Sequence, residues 1–483
     1  MSTPADFLPN LEEDLHYALN AYNKGDSAGS PLRYLHLYQR AQQSAVQTVR
    51  ASTNRLLHTG LELLKQAQPD YAAILHYRFV EELPAHEVAR RLTFAEGTVF
   101  KKQREGIAAL AEILRQQETI AHGEAQERCY NRLEGGLSQP LFGVDDQIEQ
   151  LAQQLLQADA PWLLCIEGIG GLGKTALADA LVRSLLRQGA IGYGPLVDVG
   201  WVTARQCVLN GGGAIKTVPM PALTSEALMD QLLVQLCNLG QEAVGLPAAQ
   251  KLNILRQRLK TFPHLVVIDN LETVLDVEHL LDTIRLLANP SKFLLTSRQS
   301  LFFQPDLYHW QLRELSTQNS LALIRYEASV RNLPALIHAN NDELQTIYET
   351  VGGNPLAIKL IMGQLHTFAL DEVLADLRQA QGQKAEHLYS YIYRQIWERL
   401  DEVQQRILLL MPLAAEQGAD LNFLSAMATS VGIEPPRLRD GLAHLSALNL
   451  IENRGDLHRR RYAIHSLTRT FLQQDVLRWA ISL

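Results

Sequence analysis

Cysteine is scarce in this 483-residue chain, and the four present, Cys129, Cys165, Cys207 and Cys237, are scattered with no C-x-x-C pair. That spacing excludes a disulfide framework and a cysteine zinc site, and it suits a reducing compartment. Long hydrophobic runs are missing too: no apolar stretch approaches the roughly 18 residues of a membrane span. The N-terminus, with Asp6, Glu12, Glu13 and Asp14, lacks the basic-then-apolar order of a signal peptide. A soluble, cytoplasmic protein with no membrane partner is the expectation. Positive charge is also short, since the formal net charge of −8 gives no general attraction to nucleic acid. What remains is ordinary globular composition, 47% apolar and 20% charged, in a chain too long for one core. Several domains are expected.

One stretch carries the chemistry. Gly168-Ile169-Gly170-Gly171-Leu172-Gly173-Lys174-Thr175 fills the pattern G-x-x-x-x-G-K-[ST]. The apolar run Trp162 to Ile166 precedes it, and Leu177, Ala180, Leu181, Leu185 and Leu186 follow at helical spacing. A strand, a glycine turn and a helix are the context in which this pattern cradles a phosphate chain. Gly168, Gly170, Gly171 and Gly173 let backbone N–H groups approach the phosphates, and the helix N-terminus, with Lys174, Thr175 and Ala176, adds partial positive charge. Lys174 is expected to reach the β- and γ-phosphates, and Thr175 to place its hydroxyl on a magnesium ion.

Two further runs read as buried parallel strands. His264 to Ile268 ends in Asp269, and Lys292 to Leu295 ends in Thr296-Ser297-Arg298. Carboxyl ends of strands are where ligands bind in open α/β sheets. Asp269 is therefore expected to hold magnesium through water, and Arg298 to face a γ-phosphate. Asn270 follows Asp269, so a water-orienting carboxylate falls to Glu272 or is absent. Val197 to Thr203 reads as another strand.

Upstream, residues 6 to 68 carry apolar residues every three or four positions, the mark of amphipathic helices. Pro84 to Leu92 and Glu96 to Arg104 read as two helices about a tight turn, packed through Val88, Ala89 and Leu92. They resemble the helix-turn-helix of region four of the sigma factors, which implies DNA contact through Lys101, Lys102 and Arg104. Residues 1 to 125 hold 13 Lys and Arg against 15 Asp and Glu, a balance of −2, so the electrostatic footprint of DNA binding is missing. A protein-facing or structural role for this unit is favoured, its partner unidentified. The polar stretch from Ala121 to Gly136 reads as a linker, and His458-Arg459-Arg460-Arg461 as a solvated run.

Taken together, Gly168 to Thr175, Trp201-Val202-Thr203, Ile268-Asp269-Asn270, Leu295 to Arg298 and Gly353-Asn354-Pro355-Leu356-Ala357 resemble the NB-ARC type of STAND P-loop ATPases over about residues 141 to 475. The resemblance implies a fold: an α/β P-loop core, a parallel sheet with helices on both faces, flanked by an all-α N-terminal part and helical and winged-helix C-terminal parts. The expected division is 1–70 helical, 71–120 helix-turn-helix, 121–140 linker, 141–310 nucleotide-binding, 311–395 small helical and 396–483 winged-helix. It implies that Leu141 to Asp145 lies near the adenine, that Pro355 holds the adenosine part, and that His465, in Ile464-His465-Ser466-Leu467, contacts the β-phosphate of ADP. The family's acid after this histidine is replaced by Ser466. The implied function is an ATP/ADP switch with Mg²⁺, closed with ADP, self-associating with ATP, and slow in hydrolysis. A nucleotide-gated DNA-binding regulator and an ordinary turnover ATPase stand beside it. Most relatives continue into sensing repeats, and no repeat period is present here.

Overall fold

Four apolar runs and one half-polar run pair into a five-stranded sheet: β1 (Leu163–Glu167), β2 (Asp198–Thr203), β3 (His264–Asp269), β4 (Lys292–Ser297) and β5 (Leu307–Gln311). All pairings are parallel, in the order β2-β3-β4-β1-β5. The computed structural model describes residues 10–24, 29–42, 48–133, 140–159, 161–168, 171–204, 224–237, 245–271, 274, 276–297, 301, 304–365, 369–370, 372, 397, 400–413, 418–447, 450–455, 460–464 and 472.

Side chains alternate across the sheet, as the period of two requires. Cys165 of β1, Val266 and Ile268 of β3 and Phe293 and Leu295 of β4 face one side. Ile166, Leu265, Val267 and Leu294 face the other. The first side is covered by α9 (Ser225–Cys237), α10 (Ala248–Thr261) and α11 (Val277–Leu287), and the second by α7 (Asp145–Leu156) and α8 (Lys174–Arg187). Burial on both faces explains why the central strands read as unbroken apolar runs. β5 escaped the sequence reading for the converse reason. It is an edge strand, Leu-Tyr-His-Trp-Gln, with only Leu307 fully buried, so it lacks the continuous apolar signature.

The N-terminal helices are α1 (Leu11–Asn20), α2 (His36–Ala41), α3 (Val49–Ala67), α4 (Pro69–Leu75) running into a π-helical turn at His76–Val80, α5 (Ala85–Leu92) and α6 (Glu96–Arg132). They share a core through Leu15, Leu57, Leu64, Leu75 and Leu110. A small second core of Ile74, Ala85, Val88, Ala89 and Val99 joins α4, α5 and the start of α6.

The linker expected from Ala121 to Gly136 requires correction. Residues 121–132 are the last third of α6, a single helix of 37 residues, and 134–139 lie outside the described residues. No proline interrupts the stretch, and its polarity belongs to the solvent face. Ala121 and Cys129 are buried, and Arg132 docks on the sheet, donating from Nη1 to Asp198 Oδ1 at 2.8 Å and also to the Val199 carbonyl.

After β5 come α12 (Thr317–Val330), α13 (Pro334–Ile337), α14 (Asn341–Val351), α15 (Pro355–Gln364), α16 (Glu402–Leu410), α17 (Leu421–Ser430) and α18 (Pro435–Ala447). An antiparallel hairpin follows, β6 (Glu452–Gly455) with β7 (Arg460–Ala463). One hydrophobic core runs through these elements, from Ile324 and Ile358 to Leu424, Leu445 and Ile464.

Candidate functional site

The site is built at the carboxyl ends of β1, β4 and β3, where Glu167, Ser297 and Asp269 end their strands. β1 ends at Glu167, and α8 begins at Lys174, just after the glycine motif. Gly171 has φ +82°, a conformation that side-chain-bearing residues rarely adopt, and a Cβ there would lie 2.8 Å from Asn354 Oδ1 and 2.9 Å from Leu356 Cβ. Gly168 is confined too, since a Cβ would meet the Leu312 carbonyl oxygen at 2.8 Å. Both positions thus require glycine for steric reasons within the protein itself. Lys174 is buried, and its Nζ donates to the Gly168 carbonyl at 2.7 Å, spanning the loop's mouth. Gly170 lies outside the described residues, and Ala176 sits half-buried in the first turn of α8.

Asp269 is fully buried and carries the densest polar contacts of the site. Its Oδ1 accepts from Thr175 Oγ1 at 2.7 Å and from Thr296 Oγ1 at 2.6 Å. Its Oδ2 accepts from Asn270 Nδ2 at 3.1 Å, and the Asn270 N–H donates to Thr296 Oγ1 at 3.0 Å. Asn270 holds φ +61°, a left-handed conformation that Asn tolerates better than most residues. The two residues expected to share a magnesium ion, Thr175 and Asp269, thus stand side by side although 94 positions apart.

Thr296 is a site residue that the sequence reading passed over in favour of Arg298. β4 lies between β1 and β3, in register Ile166 to Thr296 and Ile268 to Leu295, so the hydroxyl at its end must fall between loop and carboxylate. Its signal was a polar residue closing a buried apolar run. Glu167 was also missed. It is buried at the tip of β1, accepts from the Leu301 N–H at 2.8 Å and meets His309 Nδ1 at 2.8 Å, bracing the chain between β4 and β5.

The Gly353-Asn354-Pro355 turn is brought onto the loop. Asn354, 1% exposed, caps α15 by accepting from the Leu356 and Ala357 N–H groups at 3.0 and 3.3 Å, with Pro355 as the first helical residue. The Leu356 N–H also donates to the Gly171 carbonyl at 3.3 Å. At the entry to the core, Gly143 packs against Asn319 of α12, and the Phe142 and Tyr326 rings lie 5.7 Å apart. Glu272, Arg298 and His465 lie outside the described residues.

The residues present fit a magnesium–nucleotide site. Loop glycines at positive φ, a buried lysine and one buried carboxylate beside a helix-terminal hydroxyl are the donor set such a site requires. Among the described residues no group of three His, Cys, Asp or Glu could hold a metal ion.

At the other end of the molecule, α5 and α6 flank a turn in which Thr93 has φ +58°. Lys101 and Arg104 are exposed. Lys102 is engaged: its ammonium lies 3.3 Å from Asp70 Oδ2 and 4.7 Å from the Phe94 ring centroid. Phe100 is 52% exposed between them.

No family model matches the chain, and no curated protein matches it. Among solved structures, one similar in architecture is a STAND (signal transduction ATPase with numerous domains) protein with a tetratricopeptide-repeat sensor from Pyrococcus horikoshii, at 14% identity and a TM-score of 0.45. The match covers 71% of this chain, which spans 43% of that protein's length. Another is Drosophila ORC bound to DNA, at 14% identity and a TM-score of 0.33, covering 73% of this chain and 91% of that one. Among the described residues no helix is long and apolar enough to cross a membrane.

Proposed function

We propose that this chain is an adenine-nucleotide switch of the STAND type. It is closed with ADP, opens or self-associates with ATP, and hydrolyses ATP slowly with magnesium. The observation that carries this reading is the single carboxylate oxygen of Asp269 that accepts from both Thr175 and Thr296, at the open end of a glycine loop closed by Lys174.

Thr175 and, through water, Asp269 would hold a magnesium ion, which would offset the charge of the bound phosphates. The protein's own groups do the rest. Lys174 exchanges its loop carbonyl for phosphate oxygens, and Thr296 fixes the orientation of Asp269. Asn270 offers an amide where a second acid would orient water, which supports slow turnover, with Glu272 as the remaining candidate base. Arg298 is assigned to the γ-phosphate and His465 to the β-phosphate of ADP. The contact of Leu356 with Gly171 supports the switch part of the reading, because a ligand that reshapes the loop acts directly on α15 and the core behind it.

DNA contact through Lys101, Lys102 and Arg104 is the second reading. The exposure of Lys101 and Arg104 favours it, while the engagement of Lys102 by Asp70 and Phe94 and the exposed Phe100 ring favour a protein partner. A band-shift titration of the full chain with duplex DNA at low salt decides between them.

The test of the main reading is ADP and ATP titration of the parent and of Lys174→Ala, with and without magnesium. Loss of a hydrogen bond to a charged group is worth about 1.5–3 kcal/mol, so affinity should fall roughly ten- to a hundredfold. Equal affinity in parent and variant would refute the assignment.

A further inference from the structure

We propose that a second anion site, for a phosphate-class tetrahedral oxyanion, lies where the N-terminal helices meet the edge of the sheet. The site is a cavity of about 50 Å³ whose walls include Gln39 and Arg40 of α2, Arg128 and Arg132 of α6, Asp198 of β2 and Arg258 of α10. One water needs about 10–15 Å³ of such space, so the cavity holds about four oxygen-sized atoms.

The wall carries four guanidinium groups against one carboxylate, and that carboxylate is already committed. Asp198 accepts from Arg132 at 2.8 Å, from Cys129 Sγ at 3.0 Å and from the Val199 N–H at 2.7 Å. Arg40 pairs with Glu124 at the rim. Arg128 and Arg258 have no ion pair among the described residues. Two buried donors on this wall, Gln39 Nε2 and Arg258 Nε, have no hydrogen-bond partner among the described residues. Buried donors are almost always satisfied, and those that are not call for a bound water or ion. A guanidinium that shares a wall with three others and has no ion pair among the described residues calls for an anion. Burial pushes Arg258 below its ordinary range despite the opposing pull of Cys237 and Asp198, and an incoming anion would reverse that direction.

The donors come from both sides of a junction, α2 and α6 on one side and α10 on the other, so an occupied site ties the N-terminal helices to the nucleotide-binding core. The site does not depend on the switch proposed above.

The glycine loop itself can bind phosphate, so the experiment uses the full chain carrying Lys174→Ala. Calorimetric titration with inorganic phosphate, against chloride at equal ionic strength, should give one saturable site. Adding Arg258→Gln should weaken it at least tenfold. Arg128→Gln, at an exposed position that leaves folding intact, should weaken it several-fold and decides the matter should Arg258→Gln not fold. A parallel titration with a phosphate monoester tells a free anion from one carried on a larger molecule, and saturable binding of either supports the site. No saturable heat with either probe, or unchanged affinity in the Arg128→Gln protein, overturns it.

Discussion

Thr296 decides how Asp269 presents its charge. Its hydroxyl donates to Oδ1 and accepts from the Asn270 N–H, so one oxygen atom couples the carboxylate to the left-handed turn behind it. Thr296→Val keeps the shape of the side chain while taking the acceptor from the Asn270 N–H and one of the two hydroxyls that donate to Asp269 Oδ1. Stability should fall by about 1–3 kcal/mol, the cost of leaving such groups unpaired, measured by urea unfolding. Magnesium-dependent ADP affinity should fall about tenfold while magnesium-free affinity changes little. An equal loss with and without magnesium would make Thr296 a packing residue alone. Asp269→Asn removes the charge and sets an amide NH2 where Oδ2 accepts from Asn270, so the magnesium dependence of binding should disappear in a titration of metal at fixed nucleotide.

The glycine loop and α15 meet through Gly171, and two substitutions separate backbone strain from that contact. Gly171→Ala and Gly173→Ala both force alanine into positive φ, at +82° and +93°, at a cost of about 1–2 kcal/mol each. Only at Gly171 does the new methyl strike Asn354 and Leu356; at Gly173 the nearest atom is 3.9 Å away. Both variants should bind nucleotide more weakly, but only Gly171→Ala should raise hydrogen exchange at residues 355–362. Matching exchange in the two proteins would uncouple the loop from α15. Legibility follows the same division between local and distant causes. β1, the loop, α8, β3 and β4 were readable because each is an unbroken apolar run or a complete motif whose signal lies within a dozen residues. β5 was not, since an edge strand alternates only weakly. The continuation of α6 was not, because the groups that justify it, Asp198 and the Val199 carbonyl, are supplied by a strand more than 60 positions away. Thr296 became recognisable only once the strand order put β4 between β1 and β3.

Two imidazoles at the seam between the N-terminal helices and the sheet make the whole molecule sensitive to acid. Burial, with the neighbouring His36, pushes His122 down to about 4, and burial, with Arg258, pushes His264 down to about 4. Both are therefore neutral in the folded protein where the unfolded chain, with an ordinary value of 6.5, already binds protons. Their contribution to stability is complete above pH 6.5 and is lost as pH falls from there toward 4, by about 1.4 kcal/mol per pH unit for each group while it titrates. Urea midpoints at pH 7.5 and 5.0 should show that loss, and His122→Gln should reduce it by about half. If the midpoints of parent and variant shift equally, His122 is not one of the two groups. The seam is also where one long element ends. At about 1.5 Å per residue, α6 is a rod roughly 54 Å long, with Arg132 bonded to the first two residues of β2 and Glu96 at the far tip beside α5. The N-terminal helices are packed along this rod through Leu110 and Leu114, so they tilt with it as one body: about 5° at the sheet sweeps the far tip through roughly 5 Å, about one helical turn. Whatever partner grips α5 thus sees, greatly enlarged, an angular adjustment too small to disturb the packing beneath Arg132.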